Sequence, residues 1–292
     1  MKRLLSTILI SLLAGTAFAV DVDRTVDAAR DGHVEVSNIS GAIEVEGWNQ
    51  SKVEVTGTIG RDVKELIVER DGDEVSIKVK LPKGSSSASD ADLLIKVPAG
   101  SSINVGTVSA DIDVAGVNGE QSLHTVSGNV TTESSGESVS AESVSGDVEV
   151  SGDSSESEIE ATTVSGDVTL TGVAGEVVGD SVSGDVNVDG GSFDRAELDT
   201  VNGEINFKGE LLDDGRLNIE TVNGGIDVEF VGELSARIKI ETFNGGIRNC
   251  FGPKAERTSK YAPGWELEFR QGDGDGRVEI STMNGRVTIC NK

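Results

Sequence analysis

The chain has 292 residues, with 51 Asp and Glu against 25 Lys and Arg, so its formal charge is -26; it carries 37 Gly, 4 Pro, 2 Cys and 2 His. That charge repels phosphate backbones and excludes a nucleic-acid binder, while two Cys supply neither a zinc cluster nor a disulfide-dense scaffold. His33 and His124 leave little for histidine-based catalysis, but an apolar share of 36% before Gly is counted is enough for a folded core.

Taken in chain order, Lys2 and Arg3 precede a short apolar run that ends at the A-x-A site Ala17-Phe18-Ala19. Residues 1–19 are therefore expected to be a cleaved signal peptide, with Val20 as the mature start. The run is too short to span a bilayer, no Cys follows the cleavage site, and no second long apolar run exists, so no membrane span is expected in the mature chain. Removing Lys2 and Arg3, with no acid in the segment, takes the charge from -26 to -28. These features predict an exported protein, periplasmic or secreted to the cell surface.

Residues 20–100 alternate polar and apolar at His33–Val36, Ala42–Val45, Lys52–Val55, Glu74–Val79 and Leu93–Val97, the pattern of half-buried strands. They are expected to form irregular N-terminal β coils and a cap, with residues 83–90 as a surface loop. A cap is needed because bare strand edges template aggregation.

Residues 101–292 are expected to be more regular. Val-Ser-Gly-Asp-Val recurs at Val144–Val148, Val164–Val168 and Val182–Val186, with looser copies centred on Gly41, Ala110 and Gly128. Toward the C-terminus Ser becomes Asn, as in Val201-Asn202-Gly203, Val222-Asn223-Gly224, Phe243-Asn244-Gly245 and Met283-Asn284-Gly285. From Ala110 to Gly245 the steps are 18, 18, 20, 18, 19, 21 and 21 residues. That is shorter than helical repeats, and the apolar positions recur every two residues. The repeat predicts an all-β fold: a single parallel β-solenoid (β-helix) of 18–21 residues per coil, right-handed by analogy with parallel crossovers.

Counted from the Gly, apolar residues fall five and seven before it, and two before, two after and usually four after it. Five and two differ in parity, so a corner is expected near the Ser or Thr three before the Gly, with the Gly and the residue two before it facing inward. An inward Gly suits close approach of the opposite wall. The Ser and Asn just before the Gly are expected to form hydroxyl and amide ladders that lock the register.

The step from Gly245 to Gly285 is 40 residues, about twice the period, and each Gly is followed five residues later by a Cys. With residues 251–277 as an excursion, Cys250 and Cys290 fall at equivalent positions of neighbouring strands, about 4.8 Å apart, and a disulfide is expected. Within the excursion, Trp265–Phe269 and Arg277–Ile280 read as strands joined by a Gly-rich hairpin turn over 271–276, which lacks the ligand spacing of a calcium loop.

Two outward acid rows follow from the repeat. Asp111, Asn129, Asp147, Asp167, Asp185 and Glu204 stand one after the Gly; Asp180, Asp199, Glu220 and Glu241 stand four before it. Stacked like charges are unfavourable, and Ca²⁺ or Mg²⁺ at Asp147, Asp167 and Asp185 would relieve them; a solvated wall that keeps the protein monomeric is the preferred reading. No cofactor is expected. No catalytic residue is singled out: the carboxylates follow the repeat, Trp48, Tyr261 and Trp265 are scattered in sequence, and Lys and Arg are not grouped as a lyase would need.

The sequence resembles the bacterial putative-adhesin family, an exported β-solenoid domain of unknown function. The resemblance rests on Ile43–Trp48 followed by Val53–Val55, the Ile95–Pro98 segment, the serial V-S-G-D-V cores, and the Gly-rich turn before Ser281–Gly285. It implies a non-catalytic cell-envelope or adhesive role with an unidentified envelope or surface partner. The alternative is a polysaccharide-binding or polysaccharide-active β-helix protein, since such scaffolds also carry enzymes.

Overall fold

The structure, a computed structural model, describes residues 19–82, 90–259 and 263–292. The expected leader, Ala19 apart, lies outside the described residues, as do Tyr261 and most of the predicted surface loop. Among the described residues there is no helix. The N-terminal strands are β1 (Val20–Asp27), β2 (His33–Ser37), β3 (Ser40–Trp48), β4 (Lys52–Ile59), β5 (Glu65–Asp71), β6 (Glu74–Lys80) and β7 (Ala91–Pro98). The middle is built from β8 (Ser102–Gly106), β9 (Ser109–Ala115), β10 (Gln121–Thr125), β11 (Val130–Ser134), β12 (Val139–Ser143), β13 (Val148–Gly152), β14 (Glu156–Thr163), β15 (Val168–Thr171) and β16 (Ala174–Ser181). Then follow β17 (Val186–Asn202), β18 (Ile205–Asn223), β19 (Ile226–Phe230), β20 (Ala236–Asn244), β21 (Ile247–Asn249), β22 (Glu256–Arg257), β23 (Trp265–Gln271), β24 (Gly276–Asn284) and β25 (Val287–Asn291).

From β8 to β16, strands one repeat apart pair in parallel and in register. Val139 of β12 lies beside Gln121 and Ile159, and Val148 of β13 beside Val130 and Val168. Each repeat thus makes one layer of two strands joined at a corner, with Gly146, Gly166 and Gly184 on neighbouring layers. Inward side chains of successive layers stack into one apolar column that includes Val148, Leu170, Ile205 and Ile226. In the C-terminal half it is filled by Phe193, Phe207 and Phe230, whose ring centroids are 5.3 and 6.0 Å apart.

The sheet is mixed, which corrects the expectation of a single parallel stack. β1 runs antiparallel to β4, β4 to β7, β5 to β6, and β20 and β22 to β23. These pairings sit toward the ends of the stack, where no further repeat is available to satisfy the ladder and an antiparallel strand closes the edge.

Layer order also departs from chain order at both ends. β2 lies between β6 and β8, and β3 between β7 and β9. At the C-terminus β24 lies between β18 and β20, and β25 between β19 and β21. The last repeat is therefore threaded between two earlier ones. The 271–276 segment is no hairpin turn: β23 and β24 flank opposite sides of β20, and the segment passes over the start of β20, where the Gly276 N–H donates to the Ser235 carbonyl at 3.0 Å.

Candidate binding surface

The corner is built by hydrogen bonds rather than by apolar burial. The Ser or Thr three before each Gly is buried, and its hydroxyl donates to the carbonyl of the neighbouring layer's Gly. Thr163 reaches Gly146 at 2.8 Å, Ser181 reaches Gly166 at 2.9 Å and Thr200 reaches Gly184 at 3.0 Å. These hydroxyls share parity with the apolar residues five and seven before the Gly, so the strand stays straight up to them. The turn falls between that hydroxyl and the apolar residue two after the Gly.

The residue two before the Gly is consequently outside, a correction to its predicted inward position. Val108, Val126, Val144, Val164, Val182, Val201, Val222, Met283 and Phe243 form one ridge over consecutive layers, with exposures from 38% at Val222 to 54% at Met283. Backbone bonds such as Ser165 N–H to Val144 carbonyl at 3.0 Å keep the ridge in register through the corner. Their chemistry read as core; parity with the buried hydroxyls was the signal against it. The Gly meets the neighbouring layer and not the opposite wall: a Cβ on Gly146 would collide with the carbonyl of Gly128.

Beside the ridge runs the acid row four before the Gly. Asp180, Asp199 and Glu220 are on adjacent strands, but Ser281 of the threaded strand separates Glu220 from Glu241. The C-terminal part of the ridge, Val201, Val222, Met283 and Phe243, lines with the row a groove of about 720 Å³ that Trp265 also borders. The Arg257 guanidinium lies 4.7 Å from the Trp265 ring centroid, within cation–π range. Burial, then the neighbouring Asp180, Glu220 and Glu197 charges, push the Asp199 carboxyl up to about 6, while a backbone hydrogen bond from Glu220 opposes them. Burial, reinforced by Glu197 and Glu160, also raises Asp180. Oδ1 of each has no hydrogen-bond partner among the described residues.

The first acid row has a different task. Asp147, Asp167 and Asp185 each accept the backbone N–H of the equivalent residue in the next layer, at 2.9, 2.8 and 2.7 Å. One carboxylate oxygen of each is thereby used to hold the layers together. No group of three or more His, Cys, Asp or Glu placed to hold a metal is found among the described residues. The predicted register ladder exists in its amide half, from Asn202 to Asn223, Asn284 and Asn244. Trp48 donates from Nε1 to the Lys52 carbonyl at 2.8 Å, and Trp265 lies across from Thr242 at the outer strand.

Cys250 and Cys290 form a disulfide with a Cα–Cα distance of 4.9 Å. The Cys250 N–H donates to the Ile289 carbonyl at 3.0 Å, so the bond joins the residue just after β21 to β25 at the neighbouring positions expected from the spacing. The arginines, scattered in sequence, are grouped in space: Arg195, Arg216, Arg277, Arg237 and Arg270 occupy paired positions on five adjacent strands.

Fold and surface define an all-β repeat protein with a single mixed sheet and a grooved outer wall. The chain belongs to the Toastrack DUF4097 family, whose model matches residues 21–179 and again 172–290. This accords with the resemblance to the putative-adhesin family. A putative adhesin from Parabacteroides distasonis ATCC 8503 is 10% identical over 94% of this chain and 98% of that chain, with a TM-score of 0.45. One from Bacteroides fragilis NCTC 9343 is 12% identical over 94% and 97%, with a TM-score of 0.41. A putative cell adhesion protein from Clostridium sporogenes ATCC 15579 is 11% identical over 94% and 100%, with a TM-score of 0.24. No curated protein matches the chain. Among the described residues no helix is long and apolar enough to cross a membrane.

Proposed function

We propose that this is an exported, non-catalytic envelope or surface protein of the adhesin type, whose layers are the coils of a right-handed β-solenoid. Its repetitive acidic wall binds an envelope or surface component, and the protein acts as a monomer. The observation that carries this reading is the ridge of nine aligned apolar side chains beside a carboxylate row. An exposed apolar strip of that length is unusual on a solvated surface and marks a contact face. The disulfide supports export, since such bonds persist in oxidising compartments. Asp180, Asp199 and Glu220 follow the repeat from strand to strand rather than breaking it, which favours a binding wall over a catalytic pair. Phe243 and Trp265 in the groove's lining favour a polysaccharide as the alternative ligand class.

The test is binding of the purified mature protein to immobilised cell-wall polymers and matrix proteins. A variant carrying Val182→Thr, Val201→Thr and Val222→Thr keeps strand propensity at exposed sites and should lose binding while melting at the wild-type temperature. Unchanged binding by that variant would remove the ridge from the interface.

A further inference from the structure

We infer that the arginine column is a binding site for a linear acidic polysaccharide, separate from the ridge. Arg195, Arg216, Arg277, Arg237 and Arg270 stand on five neighbouring strands at matched positions, and all five are exposed. The column exists only because of the threading: Arg270 and Arg277 are close in sequence but lie on opposite sides of Arg237.

Like charges stacked on neighbouring strands repel, and local pairing relieves only part of the column. Arg195 reaches Glu197 at 3.3 Å and Arg277 reaches Glu279 at 2.6 Å. The Arg270 guanidinium donates to the Asp273 carbonyl at 3.3 Å. Arg216 and Arg237 have no ion pair among the described residues, although the chain holds about two acids per base. Two guanidinium forks at alternate positions of the column are thus left for an outside anion, and the fork geometry suits carboxylate and sulfate.

Two depressions follow the column. One of about 660 Å³ is lined by Arg195, Arg216, Arg277, Asp214 and Asp275; the next, of about 400 Å³, by Arg237, Lys239 and Glu268. Basic and acidic side chains therefore alternate across the strip. A densely charged polymer such as nucleic acid meets those acids as repulsion, on top of the net charge. A sugar chain with one anion per ring or two and hydroxyls between offers the arginines its anions and the carboxylates its hydroxyl donors. The column is six residues along the strand from the ridge, about 20 Å at a strand's rise, so this site stands whether or not the ridge binds anything.

The experiment titrates the mature protein by calorimetry with polygalacturonate, dextran sulfate, neutral dextran and a single-stranded oligonucleotide at physiological salt. Expected is binding of polygalacturonate or dextran sulfate that weakens with added salt, with none of neutral dextran or the oligonucleotide. Binding by one acidic polymer alone names the anion as carboxylate or sulfate. Arg216→Gln with Arg237→Gln should weaken binding about tenfold at an unchanged melting temperature, while Arg24→Gln, away from the column, leaves it intact. Absence of binding to both acidic polymers, equal binding of the oligonucleotide, or full binding by the double variant would overturn the site.

Discussion

The Asn284 side-chain amide donates to the Asn223 carbonyl oxygen at 2.8 Å, linking residues 61 apart in sequence. Asn244 donates to Asn284 at 2.9 Å and Asn223 to Asn202 at 2.9 Å, so the ladder follows the order of layers and not the order of the chain. The change from Ser to Asn in the repeat coincides with the four layers that comprise the inserted one and its neighbours. An amide both donates and accepts, so each rung defines its neighbour's register.

Asn284→Ala removes a donor and an acceptor from inside the ladder, whereas Asn202→Ala removes one acceptor at its end. Urea unfolding should show a loss of about 1 kcal/mol for the first and less for the second, since each exposed rung is worth the lower end of a hydrogen bond's net contribution. Equal losses in the two variants would show that the ladder carries no register energy.

The repeat glycines make a sharper contrast. Gly146 is fixed by space: a Cβ there would collide with the Gly128 carbonyl of the next layer. Gly246, one residue past a repeat Gly, has open space where a Cβ would stand. Gly146→Ala should cost about 3 kcal/mol, the upper range for forced overpacking, and Gly246→Ala should be near neutral. Thermal melts of the two proteins side by side check this.

The period was legible because one layer consumes one repeat, and the residues five and seven before the Gly face inward as their alternation requires. What misled was Val144 and its equivalents. A Val beside a Ser reads as core by hydrophobicity, yet Ser143 is buried and satisfied by the Gly128 carbonyl at 2.9 Å while Val144 stays outside. A hydrogen bond to a neighbouring layer cannot be seen in one repeat alone. Threading was hidden for a related reason: Gly285 and Gly224 are neighbours through a path that local propensity does not encode. The Asn positions were visible, but their amide ladder acquires meaning only once the layers are ordered. The arginine column follows from the same reordering.

The disulfide secures the threaded layer to the one outside it. Cys250 and Cys290 are separated by 40 residues, which in the chain-entropy account closes a loop worth about 4 kcal/mol. Because β20, β21 and β23 are the outer layers beyond β24, reduction should free them first. Hydrogen exchange after reduction is expected to accelerate at Ile238 and Ile240 while Val148 and Val168 keep their protection. Uniform acceleration along the stack would instead mean that the bond stabilises the molecule as one cooperative unit.

The raised carboxyl of Asp199 gives the groove a pH dependence whose sign is fixed. Its folded pKa of about 6 lies above the ordinary carboxylate value, so between the unfolded value near 4 and about 6 the folded state holds a proton that the unfolded state has released. Stability from this group therefore increases as pH falls through 6 and is fully gained below about 4; at neutral pH the ionised form is a burden. Asp199 is only half-buried, so solvent screening reduces that burden to about 1 kcal/mol. Asp199→Asn keeps the shape, removes the charge and relieves Asp180, and should raise stability at pH 7 by that amount. Near pH 4 the two proteins should converge. Urea midpoints for wild type and variant across pH 4 to 8 measure the difference, which cancels the contribution of the many other carboxylates; a difference that is flat with pH would mean that Asp199 titrates as an ordinary exposed acid.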